Sequence, residues 1–203
     1  GAGPLHLVSA FATTARLVLA QEAVPDKGSE LAAIPPLLER LGAGGGLEGA
    51  LVSIDAIATN ADIAGAIAAQ GADWLLAVKA NQPGLRAEVE AAFAEPEATL
   101  DTCVTLDTCV TLDKGHGRIE ERRMTVLREV DWLAGERRFP GELRLPGAAC
   151  LLRAETRVER AGATRTETRY FITSRALAAT EAAAAVRGHW AIENRLHWIL
   201  DVT

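Results

Sequence analysis

The sequence predicts an α/β fold, a mixed sheet covered by helices. Three observations carry that expectation. Strand-like and helix-like segments alternate through the first half in the order β-β-α-β-α-β-α. Two of the strand-like runs, GALVSID at 49–55 and DWLLAVK at 73–79, are apolar almost throughout, as buried strands are. From 117 to 174 apolar and charged residues alternate in longer runs, and 177–200 returns to an alanine-rich helix.

Taken in order, 5–11 (LHLVSAF) and 16–24 (RLVLAQEAV) read as two strands. Ala12, Thr13 and Thr14 make the turn of a hairpin between them. Leu31, Ile34, Leu38 and Leu41 recur at helical spacing over 29–41, with Ser29 as the expected N-cap. Pro35 and Pro36 should kink or restart that helix, and the run Gly42 to Gly46 should end it. Residues 61–69 and 84–94 suit helices that follow the two buried strands.

The stretch 99–113 reads TLDTCV, TLDTCV and then TLD. A six-residue period is too short for a solenoid. It reads as a duplication in an exposed loop, where insertions are tolerated. GRIEERRMTVLREV, ACLLRAETRVER and TETRYFITS then alternate as strands. The expected organisation is therefore a core at 1–98, a duplicated loop at 99–116, a β-rich insertion at 117–174 and a closing helix at 175–203.

The 203 residues suit one domain, and 49% hydrophobic with 24% charged residues is ordinary for a globular protein. No apolar run reaches the roughly 18 residues that span a bilayer, and no secretion signal opens the chain, which begins at Gly1. Cys103, Cys109 and Cys150 are odd in number and form no metal-ligand spacing, so a reducing, cytoplasmic setting is expected.

The net charge of −6 does not favour nucleic-acid binding. Two arginine clusters run against it: Arg118, Arg122 and Arg123, then Arg153, Arg157, Arg160, Arg165 and Arg169. Such clusters suit phosphate contacts and solvated strand faces equally.

Several residues could carry chemistry. Asp55 ends a buried strand, the end at which open α/β sheets bind ligands. An acid there also suits the start of a loop or a helix cap. Glu193 lies in the last helix with His189 and His197 four residues to either side, so the three share a face. That column could hold a metal, or form a polar helix edge; it is not the HExxH zinc pattern.

Carboxylates such as Asp55 and Glu193 suit Mg²⁺, and a pair of such ions clamps the attacking and leaving oxygens in phosphoryl transfer. Lys79, Asn81 and Gln82 leave the second buried strand and could hold a phosphate backbone, or form an ordinary turn. His116 and Arg118 could contact DNA, or lead into a charged strand.

Seven segments together, LHLVSAF, DKGSELAAIPPLLERL, SIDAIATN, LLAVKANQ, GHGRIEERR, YFITSRAL and RGHWAIENRLHWILDV, resemble the ISAs-type family of insertion-sequence transposases, within the wider IS-four-like DDE group. They occur in the family's order and cover nearly the whole chain. The resemblance implies an RNase H-like fold with a β-rich insertion before the catalytic helix.

It also implies a DDE transposase, a metal-dependent enzyme that hydrolyses phosphodiesters and transfers strands at the ends of a mobile DNA element. Two Mg²⁺ or Mn²⁺ ions are implied, with DNA ends and target as partners, a homo-oligomer on that DNA, and no membrane. Asp55 matches the family's second acid and Glu193 its third, both as metal ligands. Lys79, Asn81, His116, Arg118, His189, Asn194 and His197 are the implied DNA contacts.

The chain departs from the pattern in places. The wider group's Y-(2)-R-(3)-E-(6)-K signature, placed on Glu193, falls on Val186, His189 and Leu200, so the match is to the ISAs-type H-W-x-I-E-N-x-L-H-W instead. The family's first Asp, in an Asp-Gly-Lys motif, lies upstream of the segments matched. Lys27-Gly28-Ser29-Glu30 stands where Lys-Ser-Asn-Glu is usual. An incomplete or inactive copy is therefore expected. The alternatives are a non-catalytic DNA-binding or transposase-interacting remnant, an RNase H-like nuclease, and a protein with no DNA role.

Overall fold

The computed structural model describes residues 6–94, 100–111, 116–135, 139, 142, 144–160 and 162–192. At 27, 100, 102–111, 116–118, 191 and 192 the description is of the backbone. Strands β1 (His6–Ala12) and β2 (Leu17–Val24) form the expected hairpin, with a bulge between Ala10 and Phe11. Its turn falls at 13–16 and is closed by Arg16 in the left-handed region at φ 57°. The hairpin does not join the main sheet. It stands as a separate two-stranded sheet, and Val8 packs on the shared core.

Helix α1 (Glu30–Gly42) runs without a break through Pro35 and Pro36. The two prolines lack the N–H groups that would reach Leu31 and Ala32. Burial of Ala33, Ile34, Leu37 and Leu38 holds the helix nonetheless. The expected Ser29 cap is replaced one turn earlier: the Asp26 carboxylate accepts from Ser29 N at 2.9 Å and closes a 3-10 turn at Lys27–Ser29.

Strand β3 (Leu51–Ile54) pairs in parallel with β4 (Asp73–Val78), with Ile54 opposite Leu76. Helix α2 (Ala61–Ala68) makes the crossover between them. Gly71, at φ +71°, turns the chain from α2 into β4. Helix α3 (Pro83–Ala94) follows.

Residues 100–111 of the duplicated stretch are not the expected loop. Leu100–Thr111 is a twelve-residue strand, β5, paired antiparallel along its length with β6 (His116–Leu127). Thr and Val favour extended backbone, and the six-residue repeat is even, so a copied unit preserves the alternation of a strand.

A short helix α4 (Asp131–Ala134), then β7 (Cys150–Arg160) and β8 (Ala163–Thr173), lead to helix α5 (Ala179–Ile192). The strand-rich stretch is not a separate body, because β8 pairs antiparallel with β4 and the sheet runs β3-β4-β8-β7-β6-β5. This is the expected RNase H-like mixed sheet with helices.

Alternation along β4 divides the core. Trp74, Leu76 and Val78 meet Ile34 and Leu38 of α1, Ile63 and Ile67 of α2 and Val89 of α3. Leu75 and Ala77 face the other way, with Phe171, Leu152, Val126 and residues Ala182 and Val186 of α5. Both faces are covered, which explains the continuous apolar run of β4.

Arg175 ties the lower end together. It donates to Asp73 at 2.7 Å, to Gly49 O at 2.6 Å and to Ala50 O at 3.2 Å. Ser174 joins in, donating to Asp73 and accepting from Trp74 N.

Among the described residues, no helix is long and apolar enough to cross a membrane.

Candidate active site

Strand β3 ends at Ile54, and Asp55 follows with extended backbone. One carboxylate oxygen, Oδ1, accepts from Ala56 N at 2.8 Å and from the Lys79 ammonium at 2.6 Å. Lys79 leaves β4 at the matching level, because Ile54 stands beside Leu76 in the parallel pair. The other oxygen, Oδ2, has no bonding partner among the described residues.

Burial pushes the Asp55 carboxyl up. The hydrogen bonds from Lys79 and Ala56 N, with the charges of Lys79 and His189, outweigh it and hold the group below its ordinary value. Asp55 is thus an anion at neutral pH, held by one oxygen.

Helix α5 comes to the same place from the far end of the chain. His189 Nδ1 lies 3.1 Å from Ser53 Oγ, two residues before Asp55. Asp55, Lys79 and His189 line one cleft of about 380 Å³, together with Arg86, Tyr170 and Trp190. Arg169, also in its wall, stacks over the Trp190 ring at 4.5 Å.

The loop after Asp55 is laced to the loop after Lys79. Thr59, almost fully buried, donates through Oγ1 to Ala77 O at 2.6 Å. Asn81 Nδ2 donates to Ala56 O at 3.3 Å, and Gln82 Nε2 donates to Thr59 O. Asn60 caps α2 through Ile63 N at 2.9 Å. These bonds set the separation of Asp55 from Lys79.

Three of the residues singled out from sequence, Asp55, Lys79 and His189, therefore share one cleft, with Asn81 in its supporting loop. Lys79 spends its charge on Asp55, and Asn81 holds backbone. Glu193, Asn194 and His197 lie outside the described residues. His116 and Arg118 begin β6 at the hairpin tip, opposite Thr111 and Cys109.

That tip stands at the Asp55 end of the sheet. Strand β4 finishes at Val78 beside Tyr170, whereas β8 extends back to Ala163. At about 3.3 Å per residue, the two long hairpins overshoot the acid by roughly 20 Å. The arginines along them are largely matched by glutamates two positions away on the same face. Examples are Arg122 with Glu120 at 2.6 Å and Arg169 with Glu167 at 2.7 Å. The solvated-face reading of the clusters gains from that.

Sequence reasoning passed over Ser53, Thr59, Arg86 and Tyr170, named Arg169 only as one of an arginine cluster, and met Trp190 only inside the H-W-x-I-E-N motif. Only the two aromatics, each next to an arginine-bearing or histidine-bearing position, offered a signal.

Mg²⁺ is a hard ion that takes oxygen ligands. Asp55, half-exposed with Oδ2 open, fits one arm of such a site. Among the described residues no group of three or more His, Cys, Asp or Glu is placed to complete it.

The family described as "Transposase DDE domain" matches residues 3–203. The chain is 35% identical over 202 residues to protein YbfL of Escherichia coli K12, covering 98% of this chain and 51% of that protein. It is 34% identical to "H repeat-associated putative transposase YhhI" of the same strain, again covering 98% and 51%. A third relative, "Putative transposase YncI" of Escherichia coli O157:H7, is 36% identical with 98% and 49% covered. The chain thus spans about half the length of these relatives. No solved structure matches it.

Proposed function

The chain belongs to the Transposase DDE domain family, and on that premise we propose that it forms part of the catalytic domain that cuts and joins DNA at the ends of an insertion-sequence element. The observation that carries this reading is the meeting of β3, β4 and α5 at Asp55, Lys79 and His189 in one cleft.

Asp55 and Glu193 are the metal-ligating acids this chain would contribute. Glu193 follows His189 by four residues in the sequence, and by the resemblance it is the acid that joins Asp55. Bound Mg²⁺ or Mn²⁺ supplies Lewis-acid activation of the nucleophile and charge stabilisation at the phosphate.

The chain's own residues do the rest. Lys79 and Ala56 N hold Oδ1 and keep Asp55 ionised, which leaves Oδ2 for the ion. His189, and by the resemblance Asn194 and His197 of the same motif, contact the DNA strand. Lys79 and Asn81 steady the phosphate backbone through the donor hydrogens that their bonds to Asp55 and Ala56 O leave over. His116 and Arg118 meet the duplex farther out, on the overshooting hairpin. Assembly of copies on paired DNA ends accompanies the reaction.

The test pairs a binding readout with a cutting readout. Mn²⁺ titration followed by calorimetry should show at least tenfold weaker binding in Asp55→Ala and in Glu193→Ala. Element-end DNA with Mg²⁺ should be cut by the parent and by neither variant. Cutting or parental Mn²⁺ affinity that survives both substitutions refutes the assignment. Undiminished metal binding without cutting by the parent chain points to an inactive copy.

A further inference from the structure

The tandem copy at 99–113 leaves β5 with two ways of pairing that match residue for residue from Glu120 to Leu127. Residues 99–107 and 105–113 are the same nine letters, TLDTCVTLD. In the observed register, Leu100 stands opposite Leu127, Asp101 opposite Val126 and Cys103 opposite Met124, down to Asp107 opposite Glu120. Sliding β5 by six residues puts Leu106 opposite Leu127, Asp107 opposite Val126 and Cys109 opposite Met124. Each position from Glu120 to Leu127 then faces the same residue type as before.

Three features that normally forbid a slip do not act here. A shift by an odd number turns every side chain to the wrong face, but six is even. The contacts at the base are duplicated as well. Asp101 accepts from Ala179 N at 2.9 Å at the start of α5 and pairs with Arg128 at 3.3 Å, and Asp107 is its copy. Strand β5 is also the edge of the sheet, so no strand on its other side has a register to lose.

The slip exchanges the four pairs that run from Thr108–Ile119 to Thr111–His116 for a longer turn. The residues left in that turn, Lys114-Gly115-His116-Gly117-Arg118-Ile119, include two glycines and suit a turn.

We infer that β5 exchanges between two registers six residues apart, and that the exchange trades the full-length hairpin for one that is four pairs shorter and ends in a six-residue turn. The shifted form takes His116 and Arg118 out of the β5–β6 ladder, and draws Arg118 and Ile119 away from Arg160 and Glu159 of β7. The device therefore changes the reach of the hairpin tip, while each position from Glu120 to Leu127 meets the same residue type. It requires no assumption about catalysis.

The native cysteines report the register. In Met124→Cys, the residue at 124 stands beside Cys103 in the observed register and beside Cys109 in the shifted one, within the Cα separation that disulfides need. The purified full chain would be oxidised with diamide and cleaved after Lys and Arg, which keeps Cys103 and Cys109 together on residues 87–114, and fragmentation of that peptide between the two cysteines locates the link. Both linkages, 103–124 and 109–124, should be found by mass spectrometry. Adding Asp101→Ala removes the cap from the observed register alone and should enrich the 109–124 product several-fold.

A 103–124 linkage alone, in both backgrounds, overturns the inference. Should Met124→Cys fail to fold, hydrogen exchange on the parent chain decides. The ladder amides of 100–105 should exchange at least tenfold faster than those of 106–111, which are paired in both registers. Equal protection along β5 overturns it.

Discussion

Replacing Thr59 by Val removes one hydroxyl from the scaffold of the candidate site and leaves its shape. Thr59 is only 2% exposed, and its Oγ1 donates to Ala77 O at 2.6 Å. A hydrogen bond of this kind contributes about 0.5–1.5 kcal/mol net, and an acceptor left dry costs about 1–3 kcal/mol. The space around Thr59 is closed, with Ala56, Ala58 and Ala77 all buried nearby, so water does not readily replace the lost donor. Thr59→Val should therefore lower unfolding stability by roughly 1–3 kcal/mol. Urea denaturation reads it, as a lower midpoint at unchanged slope. The substitution should also loosen Asp55 against Lys79 and weaken Mn²⁺ binding, since Thr59 O and Ala56 O are the anchors of Gln82 and Asn81. Stability within about 0.3 kcal/mol of the parent, with Mn²⁺ affinity unchanged, would refute the claim that Thr59 sets this geometry.

Three other substitutions follow from the same architecture. Lys79→Met removes a hydrogen bond and a charge that hold the Asp55 carboxyl down, so that carboxyl should titrate at higher pH in a carbon-detected NMR titration. A depressed acid stabilises the fold above its unfolded pKa, and that contribution is lost as pH falls through the folded value. The variant should accordingly be less stable than the parent at neutral pH and lose less on acidification. Both partners are about half exposed, which keeps the difference under about 1 kcal/mol. Leu76→Ala opens a cavity at a fully buried position beside Ile54 and should cost about 2–5 kcal/mol, read by thermal unfolding. Arg175→Met cuts the bonds to Asp73, Gly49 O and Ala50 O and should cost roughly 1–2 kcal/mol. An unchanged melting temperature would show that the network at the foot of β3 is dispensable.

What was legible in the sequence was whatever one segment carries within itself. Asp55 stood out because an apolar run ended in an acid, and β4 because both its faces are covered and nothing polar interrupts it. Helix α1 was legible despite Pro35 and Pro36, since four leucine and isoleucine positions at helical spacing outweighed two missing donors. The polar lacing was hidden because its partners are distant: 18 positions separate Thr59 from Ala77, and 136 separate Ser53 from His189. A hydroxyl in a sequence gives no sign of which carbonyl it will reach.

The duplicated stretch was misread for a different reason. A tandem copy points to an exposed loop, where insertions are tolerated, while the even period that makes the repeat compatible with a strand says nothing until a partner strand is at hand. The arginine clusters show the same limit from the other side. Read along the chain they are basic runs, but in a strand each arginine shares a face with residues two positions away, where β6 to β8 place glutamates. The positive charge not matched in this way lies toward the ends of the long strands, as at Arg160, whose neighbours at two residues are Val158 and Gly162. That distribution reconciles a chain of net charge −6 with a DNA partner. It requires contact at a few local points, and a shallow dependence of DNA affinity on salt should follow from it.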